Sequence, residues 1–198
     1  MQFIITTITK VNTDLIYQAQ ALAQKFNKKF VTRNNLSLER LKQDNNVDNI
    51  LIFTKDGLKA HTSQGDLFFH LNMAQLRILN LNRNQKDHMV EAMDLKPKMS
   101  VLDCTLGLGT DATVASYIVG ENGKVVGLES ATLIYLITKY GLANFNHDNI
   151  AINHSLRRIE SFNLHYLDYL KAQGDNSFDI VYFDPMFRCP LSASAAIA

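Results

Sequence analysis

Ser100-Val-Leu-Asp103-Cys-Thr-Leu-Gly107-Leu-Gly109-Thr-Asp111-Ala112 decides the architecture of this 198-residue chain. Residues 100–104 form a short apolar run with strand character that carries the carboxylate of Asp103. Two glycines follow, and a helical apolar pattern then occupies 111–119. Glycine at a strand-to-helix junction reaches backbone angles closed to other residues and lets a ligand approach the main chain. Further along, 124–128 predicts a strand and 131–145 a helix. The alternation continues with a helix over 149–156, a strand over 159–163, a helix over 167–172 and a buried strand over 178–183. Strands alternating with helices imply an α/β, doubly wound parallel sheet whose ligand groups lie at the carboxyl ends of its strands.

Upstream of this unit the pattern changes. Residues 2–9 predict a strand, and Asn12 or Thr13 can cap a helix reaching residue 26, with Leu15, Ala19, Leu22 and Phe26 on its buried face. A short strand is expected over 29–32, a brief helix capped by Ser37, and a strand over 49–54. Asp56-Gly57 then signals a hairpin, completed by 58–61 and 67–69. Residues 1–72 are therefore expected to form a small N-terminal α+β lobe and 73–198 the ligand-binding domain. Helices over 73–81 and 85–93 join the two, the second ending before Lys96-Pro97 because proline disfavours helix in the residue before it.

Composition narrows the function classes. Hydrophobic residues make up 46% and charged residues 20%, which is ordinary for a folded globular chain and excludes pervasive disorder. Apolar runs such as 4–8 are far shorter than the run of about 20 residues that spans a bilayer, and the N-terminus lacks a signal-peptide pattern, so a cytoplasmic protein is expected. Cys104 and Cys189 form no CxxC pair, and His61, His70, His88, His147, His154 and His165 show no HxxxH spacing, so no metal is expected. The net charge of +1 conceals an asymmetry: seven cations face two anions through residue 43, a balance of +5, which leaves −4 for the remainder. Lys25-Phe-Asn-Lys-Lys-Phe30 within that basic segment suits either a solvated helix end or a nucleic-acid surface.

The glycine turn itself resembles a nucleoside site. Glu129 ends the next strand twenty residues past Gly109, where a carboxylate can accept hydrogen bonds from both ribose hydroxyls. GxGxxA followed by an acid also fits a nicotinamide dinucleotide. Asp103 favours another ligand, because a carboxylate at the cofactor's polar tail attracts a sulfonium and an ammonium and repels a pyrophosphate. Asp103 and Thr105 can equally serve the turn's own backbone.

Tyr182-Phe-Asp184-Pro185-Met186-Phe187 places a polar loop after an apolar strand, on the same sheet edge as Gly107 and Glu129. This loop resembles the Asp/Asn-Pro-Pro-Tyr/Phe loop of amino-methyltransferases. With the 103–112 segment, which follows a D-x-T-x-G-L-G-x-D-A pattern, most of the chain is similar to the ribosomal RNA guanine-N2 methyltransferases of the small subunit. The resemblance implies a Rossmann-like sheet, S-adenosylmethionine as cofactor, and ribosomal RNA or the small ribosomal subunit as partner. It further implies cofactor contacts at Thr110, Asp111, Glu129, Ser130, His165, Tyr166 and Asp184, which join Asp103, Thr105, Gly107 and Gly109 of the turn as expected cofactor-binding residues. Departures occur at Thr110, which stands in an arginine position, at Ser130-Ala131-Thr132, and at His165-Tyr166. Phe69-His70 and Met73-Ala74-x-x-Arg77 also match a segment ahead of the cofactor domain; Arg77 can reach substrate phosphate or form a surface ion pair.

On this reading the Asp184 carboxylate and the Pro185 carbonyl accept the hydrogens of a delocalised exocyclic amine, while Phe187 stacks on the base. In-line displacement at a sulfonium needs neither a metal nor a covalent enzyme intermediate. Methylation of another base or a small amine, and a non-catalytic cofactor-binding remnant, are the alternatives. The sequence ends at Ala198, eleven residues past Phe187, whereas the resemblance implies further strands, so a sheet truncated after its fourth strand is expected.

Overall fold

The computed structural model describes residues 2–184. It opens with β1 (Phe3–Thr7) and α1 (Thr13–Lys25). Asn12 caps α1, its side-chain oxygen accepting the Leu15 amide at 3.0 Å. Then α2 (Leu38–Asn45) starts where the Ser37 hydroxyl accepts the Arg40 amide at 3.1 Å. Short polar side chains at these positions satisfy amides that have no partner inside the helix. β2 (Asn49–Thr54), β3 (Gly57–Thr62) and β4 (Gly65–Phe68) run on as an antiparallel meander, and β1 joins β2 in parallel, giving the order β1-β2-β3-β4. The strand expected over 29–32 is only a bridge between Ile5 and Phe30. Beyond it the chain turns away through Asn34 and Asn35, both at positive φ.

Two helices, α3 (Asn72–Asn82) and α4 (His88–Ala92), lead to the second unit. α4 begins at His88, later than its apolar pattern predicts, because Asp87 Oδ1 caps it by accepting the Met89 and Val90 amides, each at 3.1 Å. The alternating section then comprises β5 (Ser100–Asp103), α5 (Thr110–Val119), β6 (Lys124–Leu128), α6 (Thr132–Asn144), α7 (Ile150–Arg158), β7 (Ile159–Phe162), α8 (Tyr166–Lys171) and β8 (Ile180–Tyr182). All four strands are parallel in the order β7-β6-β5-β8. The chain builds outward from β5 through β6 to β7 and then returns to β5's other side. The strand order thus reverses between β5 and β8, the topological switch point where open parallel sheets leave a crevice.

Period-two alternation divides the core. Val101, Val125 and Ile159 pack with α3, α5 and α7, whereas Leu102 and Val126 turn to the other face, against Tyr166, Tyr169, Leu170 and Phe178. The strand read as buried over 178–183 is shorter and more open than expected. Val181 is exposed because, among the described residues, β8 pairs with β5 alone.

The two sheets share a helix. α2 covers one face of the first sheet through Leu41, and the opposite face packs on Ala19 and Ala23 of α1 together with Leu133, Leu136 and Ile137 of α6. The N-terminal sheet therefore closes its core with a helix of the parallel-sheet unit. Gly141 permits this approach, since a Cβ there would lie 2.0 Å from Cγ of the Phe69 ring. Gly141→Ala is expected to lower stability by about 1–3 kcal/mol through overpacking, measured as a fall in the midpoint of chemical unfolding. An unchanged midpoint would show that Phe69 can move aside without cost.

Candidate active site

The strand-to-helix turn after β5 is built by long-range hydrogen bonds. Cys104 N–H donates to the Tyr182 carbonyl and Leu106 N–H to the Leu128 carbonyl, each at 2.9 Å, so the turn is held between β8 and β6. Gly107 and Gly109 adopt φ of +52° and +78°, angles that suit glycine and not a residue with a Cβ. The Gly107 carbonyl accepts the Thr138 hydroxyl at 2.6 Å, and the Gly109 carbonyl accepts that of Thr113 at 2.6 Å, which fixes the turn on α6 and opens α5.

Glu129 lies across this turn. Its Oε2 accepts the Gly107 amide at 3.1 Å and its Oε1 the Ala131 amide at 2.7 Å, so the half-buried carboxylate has a fixed orientation. A carboxylate oxygen can accept more than one hydrogen bond, which leaves capacity for two ribose hydroxyls. Asn163, which sequence reasoning did not single out, supports Glu129 from the end of β7. Its side-chain amide donates to the Glu129 carbonyl at 2.7 Å and to the Ser130 carbonyl at 3.3 Å, while its oxygen accepts the Thr132 hydroxyl at 2.8 Å. Ser130 itself is exposed.

Asp103 is 2% exposed, and its Oδ1 accepts the Thr105 amide at 2.9 Å. Burial, opposed by the Thr105 amide and reinforced by the charges of Asp111 and Asp184, pushes its carboxyl up to about 7. Three carboxylates thus converge on one end of the turn. Such a site gains from a cationic ligand and repels a pyrophosphate. This fits an adenosine cofactor bearing ammonium and sulfonium groups and disfavours the dinucleotide reading. Cys104, buried beside Asp103, has its thiol pushed up to about 11, first by burial and then by that charge, and so carries no nucleophilic thiolate near neutrality.

Asp184 follows β8 on the same edge, its amide donating to Thr105 Oγ1 at 2.8 Å. Pro185 and Phe187, and with them Cys189, lie outside the described residues. His165 caps α8, its Nδ1 accepting the Leu167 amide at 3.3 Å, and stacks on Tyr166 with ring centroids 4.5 Å apart. Tyr166 meets the Phe183 ring edge-on at 5.0 Å, which brings the start of α8 to the end of β8. Asp103, Thr105, Gly107, Glu129, Asp184 and the His165-Tyr166 pair therefore share the carboxyl edge of the sheet.

Arg77 and Asp111 meet each other. Of the two readings of Arg77, the ion pair is the one seen, but its guanidinium is half-buried between two carboxylates and not at the surface. Nε and Nη2 bind Asp87 at 2.6 and 2.9 Å, and Nη1 binds Asp111 at 2.5 Å. The other Asp111 oxygen accepts the Tyr182 hydroxyl at 3.1 Å. Both Asp111 oxygens are thus engaged by protein groups, which fix the orientation of its carboxylate. Thr110, the first residue of α5, is half-buried beside them. Asp87 was not singled out in the sequence, and Tyr182 stood there only at the end of a strand and the head of the 182–187 motif.

Among the described residues, no group of three or more His, Cys, Asp or Glu is placed to hold a metal, and no helix is long and apolar enough to cross a membrane. Residues 34–197 match the model of a family described as "Putative SAM-dependent methyltransferase". The chain is similar to the uncharacterized protein YpiP of Bacillus subtilis, with 36% identity over 98% of this chain and 76% of that protein. It is also similar to the ribosomal RNA small subunit methyltransferase J of Francisella tularensis, at 30% identity over 76% of this chain; the match spans 61% of that relative. In fold it resembles the SAM-dependent methyltransferase NGO1261 of Neisseria gonorrhoeae, with a TM-score of 0.62 and 18% identity over 92% of this chain and 69% of that one. The chain belongs to the SAM-dependent methyltransferase family, and its cofactor is S-adenosylmethionine.

Proposed function

We propose that this protein methylates the exocyclic N2 amine of a guanine in small-subunit ribosomal RNA, in the cytoplasm. The observation that carries this reading is the placement of Asp184. Its amide is tied to Thr105 at the switch point, beside the buried Asp103 and across the glycine turn from Glu129. The family's cofactor supplies an electrophilic methyl group on a cationic sulfur. Glu129 would orient its ribose, and the carboxylates around Asp103 would receive its positive groups.

A guanine N2 lone pair is delocalised into the ring, so the protein must turn the amine toward the methyl carbon. The Asp184 carboxylate, with the Pro185 carbonyl, would accept the amine hydrogens, and Phe187 would hold the base plane by stacking. The amine nitrogen would form the new bond to the methyl carbon as the carbon–sulfur bond breaks and its electron pair stays on sulfur, giving a neutral thioether, and the surplus proton would leave toward Asp184 or water. An RNA acceptor is supported by the similarity to the Francisella small-subunit enzyme and by the basic segment through residue 43.

Transfer of labelled methyl from the cofactor tests the assignment, with undermethylated small-subunit RNA, other RNAs and free nucleosides as acceptors and the product base identified by mass. The expected product is N2-methylguanine in the small-subunit RNA. Label on adenine, cytosine or a small amine would replace the acceptor assigned here. Cofactor binding without transfer to any acceptor would overturn the assignment in favour of a non-catalytic binding protein.

A further inference from the structure

We infer that Arg77, Asp111 and Tyr182 form a positioning chain that sets the carboxyl end of β8, and with it Asp184, against the glycine turn. Asp111 on this reading acts through the protein and not through a direct side-chain contact with the cofactor. The inference rests on the proposed function, in which Asp184 orients the acceptor amine.

The chain is continuous. Asp87 caps α4 and grips two nitrogens of Arg77; Arg77 reaches from α3 to Asp111 in the first turn of α5; Asp111 takes the phenol of Tyr182, two residues before Asp184. Side-chain exposure is 19% for Arg77, 9% for Asp87 and 26% for Asp111, so the ion pairs are partly shielded from water. Paired, partly buried charges of this kind hold geometry more firmly than exposed ones. The phenol is held well above its ordinary range, by burial first and then by Asp111, so it stays protonated and donates to Asp111. The other flank of the same strand end is fastened by the Cys104 amide on the Tyr182 carbonyl and by Thr105 Oγ1 on the Asp184 amide. Removing one flank would leave Asp184 attached but loosely aimed. A reacting group displaced by a fraction of an ångström loses rate without losing its ligand.

Tyr182→Phe removes one oxygen from this chain and is the primary test. It is expected to lower kcat about tenfold, to leave the RNA KM and the cofactor Kd within about twofold, and to speed amide exchange at residues 183–184. Asp111→Asn is expected to lower kcat similarly with the same unchanged cofactor Kd. Unchanged kcat and exchange in Tyr182→Phe would overturn the inference, as would loss of cofactor affinity in Asp111→Asn with kcat intact at saturating cofactor. If the unmodified protein transfers no methyl to RNA, the functional proposal fails while the exchange measurement still decides the positioning chain: faster exchange in Tyr182→Phe supports it and unchanged exchange overturns it.

Discussion

Asp184→Ala is expected to reduce methyl transfer by about 10³-fold, the scale seen when one preorganised polar contact to a reacting centre is removed. Cofactor affinity should change far less. The Asp184 backbone amide still reaches Thr105 Oγ1, and Glu129 and the glycine turn are untouched. Removing this carboxylate also takes one negative charge from the vicinity of buried Asp103, so the loss of rate cannot be ascribed to a site made more repulsive toward its own residues. Single-turnover transfer at saturating cofactor, alongside calorimetric cofactor binding, separates the two effects. Retention of wild-type turnover would remove Asp184 from the mechanism, and a parallel collapse of cofactor affinity would make it chiefly a binding residue.

The second large effect concerns Asp103 and its pH dependence. An ordinary aspartate titrates near 3.8, whereas this one is pushed up to about 7, chiefly by burial. Between those values the folded protein keeps a proton that the unfolded chain releases. The contribution of this group to stability is therefore fully present below about pH 4 and is lost as pH rises to about 7, a difference of about 4 kcal/mol in the absence of cofactor. Asp103→Asn cannot ionise, so its unfolding midpoint relative to the parent protein should climb between about pH 4 and pH 7 and then level off. Binding should move the other way. At pH 8 the variant should hold the cationic cofactor at least about tenfold more weakly and should lose the preference for it over the demethylated product, whose sulfur is uncharged. A constant offset in unfolding midpoint across this pH range would show that Asp103 is not held neutral by its surroundings.

Local chemistry explains why much of the architecture could be read from the chain. Residues 49–54 and 124–128 were expected as strands and form β2 and β6 with those bounds. Asn12, one of the two residues expected to cap α1, and Ser37, expected to cap α2, do so, because a cap depends on a side chain and an amide three residues apart. Errors arose where competing local signals met. Apolar spacing favoured a helix from 85, but the Asp87 cap set its start at His88. The segment 29–32 had strand composition, yet the positive-φ asparagines beyond it carried the chain away after one bridge.

The sequence by itself determined the βαβα order, the glycine turn after Asp103 and the spacing to Glu129, since these depend on periodicity and on backbone angles that neighbouring residues impose. It also carried the Asp184-Pro-Met-Phe motif, whose last three residues lie outside those the structure describes. Only the tertiary structure decided that β8 returns beside β5, that α6 serves both sheets, and that Arg77 is bound to Asp87 and Asp111. The physical reason is sequence distance. Arg77 and Asp111 are 34 residues apart, Asp111 and Tyr182 71, and Thr105 and Asp184 79. No local periodicity encodes which carboxylate a cation will meet, and that pairing follows only once the sheet has closed around β5.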